Sequence, residues 1–131
     1  MSQFTSKLIV EPIGKGFWEL QVGFEYHVGT YPSDEIIVVP AGFITDFASI
    51  PKIFWPIISP TGEHGKAAVI HDYCYYSACY SRLRSDAIFL EGMKVLKVKK
   101  WKRDAMYFGV VLGGWKAWHD HRQREKKERH I

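Results

Sequence analysis

The feature that most limits how this chain can fold is a stretch of mixed character, KAAVIHDYCYYSACYSRLRSDAIFLEGM, from Lys66 to Met93. Ionisable residues sit there among apolar ones at helical spacing. The stretch reads as two helices joined by a tight basic turn. On the second, expected to open at Asp86, positions 86, 89, 90 and 93 share a face, because residues three, four and seven apart stack on an α-helix. Phe89, Leu90 and Met93 make that face apolar. Asp86 therefore points inward, and a carboxylate there needs a partner. On the first helix Ala67, His71, Tyr75 and Ala78 share a face. Antiparallel packing of the two helices would bring His71 to Asp86, and a histidine oriented by a buried carboxylate is the core of general-base catalysis. The simpler reading is that Asp86 caps the second helix beside Ser85, while His71 and Tyr75 form a satisfied core network.

The rest of the chain bounds the fold. At 131 residues one domain is expected, large enough to bury a core without staples. Residues 7–47 read as an antiparallel meander. Lys7 to Ile13 is a strand with Pro12 at an edge. Phe17 to Gly29 alternates, with Trp18, Leu20, Val22, Phe24, Tyr26 and Val28 on one face and Gly23 at a bulge. Glu35 to Ile44 is a further strand, interrupted at Pro40-Ala41-Gly42. Pro51 to Pro60 carries three prolines and cannot be a regular helix; it reads as a lid or an interface segment. A third helix is expected from about Lys102 to Lys127, thinned near Gly113-Gly114 and packed on several sides, with Gly109 and Gly113 allowing close helix approach. The expectation is a single α+β domain over 1–131: a β part over 1–50, a Pro/Gly loop over 51–65, a helical hairpin over 66–98 carrying the site, and a C-terminal helix with a basic tail over 101–131.

Composition narrows the function classes. The two cysteines, Cys74 and Cys79, lie five apart, a spacing that does not suit a bridge within one helix, so free thiols and a reducing compartment are expected. Neither a signal peptide nor a membrane span is expected. The net charge of +4 comes mostly from KVKKWKR and the C-terminal HDHRQREKKERH. Such clusters suit an anionic lipid surface, and nucleic acid less; a solvated mixed-charge face is the plainer account.

The HDYCY run from His71 to Tyr75, followed by Asp86 with Phe89 and Leu90, resembles the active-site helices of phospholipases A2. The resemblance implies that His71 activates water, that Asp86 orients the ring, and that Tyr75 bonds Asp86. It implies a calcium ion at Asp72, with carbonyls of Gly62 and Gly65 standing in for the family's glycine-rich loop. The sequence departs from that family at Ser85, where the disulfide partner of the first helix would stand. A second resemblance covers more of the chain. VPAGF, TDFAS and the following Pro51, then the His-Asp helix and D-x-x-F-L-x-x-M, resemble a family of small phage and prophage proteins of unknown function. It implies a phage or prophage source, other phage proteins as partners, and a place in the host cytoplasm or the virion.

Two functions follow as expectations. One is an ester hydrolase with His71, Asp86 and Tyr75 as catalytic residues, and Asp72, Gly62 and Gly65, with Asp46 as a further candidate, around a calcium ion. The other is a structural or accessory component of the phage particle, in its tail or connector region, without catalysis. Asp46 either caps a turn or short helix from Ala48 to Trp55 or aims at His71 or a metal. A zinc or manganese site using His64 with His71, and a Cys74 nucleophile, are lesser options.

Overall fold

The computed structural model describes residues 3–47, 50–54, 56 and 65–129. The architecture is α+β: antiparallel strands come first and helices follow. β1 (Val10–Gly14), β2 (Phe17–Leu20) and β5 (Ile44–Thr45) form one sheet in the order β1-β2-β5; β3 (Phe24–His27) and β4 (Ile36–Val39) form a second. Pro12 lies on the edge strand β1, where its missing N–H costs no ladder bond.

The single strand expected over 17–29 is divided. β2 and β3 belong to different sheets, and the chain bends between them at Gln21 and Val22. Gly23 marks a break rather than a bulge. A Cβ there would stand 2.9 Å from the carbonyl oxygen of Val39, so only glycine lets the backbones pass. The alternation survives the break: Leu20, Phe24, Tyr26 and Val28 are buried, and only Val22, at the bend, faces water.

α1 (Gly65–Ser77) is the central helix, buried on nearly every side from Gly65 to Tyr75. A helix covered all round belongs in the core. It touches α2 (Arg82–Val95), α4 (Trp115–Arg129), β4 and β5. α2 begins at Arg82, a turn earlier than expected, because Ser81 is its cap: the Ser81 hydroxyl accepts from the Arg84 N–H at 3.1 Å. Asp86 therefore sits in the second turn and is not a cap. Ile88, Phe89 and Met93 pack inward with it.

α3 (Lys100–Gly113) buries only Met106 and Val110. The expectation of a helix packed on several sides is corrected: α2 covers one face, while Phe108 and Leu112 stand exposed. The chain passes from α3 to α4 at Gly114. Gly109 faces the half-buried Phe54 ring, not another helix, and a Cβ at Gly113 would meet nothing. The close approach belongs to Gly114, where a Cβ would stand 2.4 Å from the Tyr75 hydroxyl.

The basic C-terminal segment is not a free tail through residue 129. α4 folds back on α1: Arg122 Nη2 donates to the Tyr75 and Tyr76 carbonyls at 2.7 and 2.9 Å. These are last-turn carbonyls that the helix itself leaves unpaired. Trp118 meets the Tyr75 ring edge-on at 5.2 Å. At the other end of the core, Glu91 of α2 accepts from the Tyr26 hydroxyl, the Gly29 N–H and the Gln3 amide, tying α2 to the strands. No described helix is long and apolar enough to cross a membrane.

Candidate functional site

The site is built on α1. His71 and Tyr75 stand one turn apart on it and reach the same carboxylate oxygen on α2. His71 Nε2 lies 2.7 Å from Asp86 Oδ1, and the Tyr75 hydroxyl donates to Oδ1 at 2.7 Å. Among the described residues Asp86 Oδ2 makes no hydrogen bond, but it faces Arg82 Nη1 at 3.6 Å. Arg82 is held in turn by the Val111 carbonyl, at 2.7 Å from Nη2. His71, Tyr75 and Asp86 are all 0% exposed. The Tyr75 hydroxyl is held protonated well above its ordinary range, first by burial and then by its hydrogen bond to Asp86. The His71 ring lies between the tilted rings of Tyr75 and Phe89, with centroids at 4.3 and 4.8 Å.

Asp72 turns to a different set of partners. Its Oδ2 accepts from the Thr45 hydroxyl at 2.5 Å, and Thr45 Oγ1 accepts from the Phe47 N–H at 3.1 Å. Phe47 is buried with φ at +57°, a conformation that a bulky residue rarely adopts. Such strain, held by its surroundings, clusters at functional positions. It turns the chain so that Thr45 of β5 seats on Asp72 while Asp46, half-buried, lies beside the same region.

α4 supplies what the sequence did not single out. His121 is within electrostatic reach of both Asp72 and Asp46 and lies 6.2 Å from the Tyr76 ring. Burial lowers its pKa below the usual histidine value, Arg124 and Arg122 lower it further, and Asp72 and Asp46 oppose the shift. A signal for these residues was present: Gly114, Trp118, His121 and Arg122 follow the spacing of one helix face. Thr45 lies inside the TDFAS run, but an uncharged hydroxyl carries no sequence signal of its own as the partner of a buried carboxylate.

The structure thus brings together His71, Tyr75 and Asp86, and separately Asp72, Thr45, Asp46 and His121. It does not bring Gly65 to Asp72. Gly65 opens α1 two turns earlier, about 10 Å along the axis. Gly62, His64, residues 48–49 and half of the Pro-rich segment (55 and 57–60) lie outside the described residues. Among the described residues no group of three or more His, Cys, Asp or Glu is disposed to hold a metal ion. Calcium takes six to eight oxygens, and around Asp72 the described residues offer Thr45, already hydrogen-bonded to it, and Asp46. The thiols are free, as expected, with Cys79 Sγ lying 3.8 Å from the buried Cys74 Sγ. Cys79 stands beyond the end of α1, exposed, in a cleft of about 360 Å³ with Tyr73, Tyr80 and β4.

Comparison with known proteins gives one relative and one family. The chain is 40% identical over 78 residues to the uncharacterized protein y4jT of Sinorhizobium fredii. The match covers 58% of this chain and 23% of that protein, so the chain spans about a quarter of its relative's length. No solved structure matches. The family described as "Protein of unknown function (DUF1353)" matches residues 18–110, a span that includes His71, Asp72, Tyr75, Asp86 and Phe89, and the chain belongs to that family.

Proposed function

We propose that this is a phage or prophage protein whose His71–Asp86–Tyr75 cluster is the centre of an ester hydrolase acting through a histidine-activated water. The observation that carries the reading is the shared carboxylate oxygen: Asp86 Oδ1 takes both His71 Nε2 and the Tyr75 hydroxyl at 2.7 Å. Three residues from two helices meet at one atom, and these are the contacts that the phospholipase A2 resemblance implied. Asp86 fixes the ring with its Nε2 side toward the carboxylate and stabilises the imidazolium when it forms. Nδ1 is then the nitrogen that takes the proton of the attacking water. His71 returns that proton to the leaving alkoxide as the ester bond breaks. Tyr75 holds the carboxylate in place. The described residues do not assemble a calcium cage. His71 is fully buried, so an opening movement precedes substrate entry.

The test is hydrolysis of ester-linked phospholipid vesicles by the purified protein, with calcium and with chelator. Asp86→Asn should lower the rate about 10²- to 10⁴-fold with the circular dichroism spectrum retained. A folded Asp86→Asn protein at wild-type rate, or a wild-type protein inert in both arms, would end this reading.

One observation favours the non-catalytic alternative, a component of the phage particle. Trp101, Phe108 and Leu112 form an exposed apolar stripe along α3, and Trp115 follows it onto α4. An unpartnered stripe of this kind suits a docking face. Finding the protein in purified particles, and losing it from them on Phe108→Glu, would support that role.

A further inference from the structure

A cleft of about 430 Å³ lies between the N-terminal segment over 4–7, the first turn of α1, and the end of α2 at Val95 to Lys97. Three lysines line it: Lys7, Lys66 and Lys97. Among the described residues no acidic side chain does. Lys7 and Lys97 are exposed, but Lys66 is only 8% exposed. Its ammonium stands 5.7 Å from the centroid of the Phe4 ring. Among the described residues it makes no hydrogen bond and no ion pair. Burying a charge without a counter-charge is costly, and a cation over an aromatic face recovers part of that cost.

Lys97 adds a second observation. It follows the C-cap Leu96 of α2 and has φ at +62°. Helices commonly end on a residue in this left-handed conformation, and it is usually glycine. A lysine there carries backbone strain, and it lines the same cleft as Lys66. Ser6 and Thr5 stand at the same wall, and among the described residues the Ser6 hydroxyl has only a long bond, 3.4 Å, to the Lys7 carbonyl.

We infer that this cleft binds an anion of the phosphate class, a phosphomonoester or phosphate itself, with Lys66 as its buried anchor and Lys7 and Lys97 closing around it. Lysine binds phosphate as a point charge, and the volume suits a small ester. The site is separate from the buried cluster. Lys66 precedes His71 by five residues on α1, about 140° around the helix axis, and the inference does not depend on the hydrolytic reading.

The test is a ³¹P NMR titration of the full chain with inorganic phosphate and with glycerol 1-phosphate. A parallel arm measures sedimentation with phosphatidylcholine vesicles, with and without phosphatidic acid. Lys66→Met keeps the apolar stem and removes the charge; Lys97→Gln changes an exposed residue and leaves the core untouched. Saturable binding that each variant weakens about tenfold or more supports the site. Binding of the free anions identifies a soluble phosphate ester. Binding to phosphatidic acid vesicles alone, with the same lysine dependence, identifies a lipid headgroup. Absence of saturable binding in both arms, or binding that folded Lys66→Met and Lys97→Gln both leave unchanged, overturns the inference. Should Lys66→Met fail to fold, Lys97→Gln decides.

Discussion

Removing one oxygen atom tests the centre of the structure. Tyr75→Phe keeps the ring against His71 and Trp118 and deletes only the hydroxyl. That hydroxyl is one of two hydrogen-bonding partners of Asp86 Oδ1, at 2.7 Å, and both residues are 0% exposed. No water replaces it without repacking, so the carboxylate loses a charge-assisted bond in a dry site. Hydrogen bonds to charged groups contribute about 1.5–3 kcal/mol. For 131 residues the unfolding entropy is about 0.28 kcal/mol/K. The expected fall in Tm is therefore about 5–11 °C, read by calorimetry or by circular dichroism at 222 nm. Urea unfolding at unchanged slope should give the same free energy. Tyr73→Phe is the control. Tyr73 is half-buried on the same helix, its hydroxyl makes no hydrogen bond among the described residues, and its removal should stay within about 0.5 kcal/mol. A Tyr75→Phe shift no larger than the Tyr73→Phe shift would refute the claim that Asp86 depends on Tyr75.

The same hydroxyl can be reached from the other side. Gly114→Ala puts a methyl 2.4 Å from Tyr75 Oη and 2.5 Å from the Val110 carbonyl, and should cost about 1–3 kcal/mol as overpacking; Tyr75→Phe in the same chain should recover part of it in a double-mutant cycle. His121 should make the protein less stable in acid. Its folded pKa is lowered, so the unfolded chain takes up the proton first and stability falls as pH drops through about 6.5, levelling off below the folded value. The wild-type-minus-His121→Gln difference in Tm should show that slope, and a flat or inverted difference would contradict it. Cys79 should react with iodoacetamide as a thiolate with a midpoint near its lowered pKa of about 6, a shift caused first by the Cys74 thiol; Cys74→Ala should return the midpoint toward the ordinary value near 8.5, and an unshifted wild-type profile would remove Cys74 as the cause.

Much of this was legible because local patterns are short-range physics. The inward alternation of Leu20, Phe24 and Tyr26 was readable from period two, and Asp86 on an apolar face from period 3.6. A buried carboxylate needs a partner, and the only histidine on the facing helix at the right height was His71, so the pair followed from sequence. The break at Gly23 was not legible. It depends on the Val39 carbonyl passing 2.9 Å from where a Cβ would be, a contact between residues sixteen apart. The start of α2 is not legible from sequence, because two serines and an aspartate compete as caps and only the backbone geometry at Ser81 decides among them.

The sequence by itself determined the fold class, the hairpin, and the facing of His71 and Asp86, since each rests on spacing within or between adjacent elements; the contact of Tyr75 with Asp86 followed only from the resemblance of HDYCY to the phospholipase A2 helices. Only the tertiary structure decided that α4 returns to α1, that His121 lies beside Asp72 and Asp46, that Thr45 occupies Asp72, and that Lys66 is buried without a counter-charge among the described residues. Those facts join residues more than twenty-five positions apart. No local periodicity encodes such pairings, because they follow from how whole faces are buried against one another.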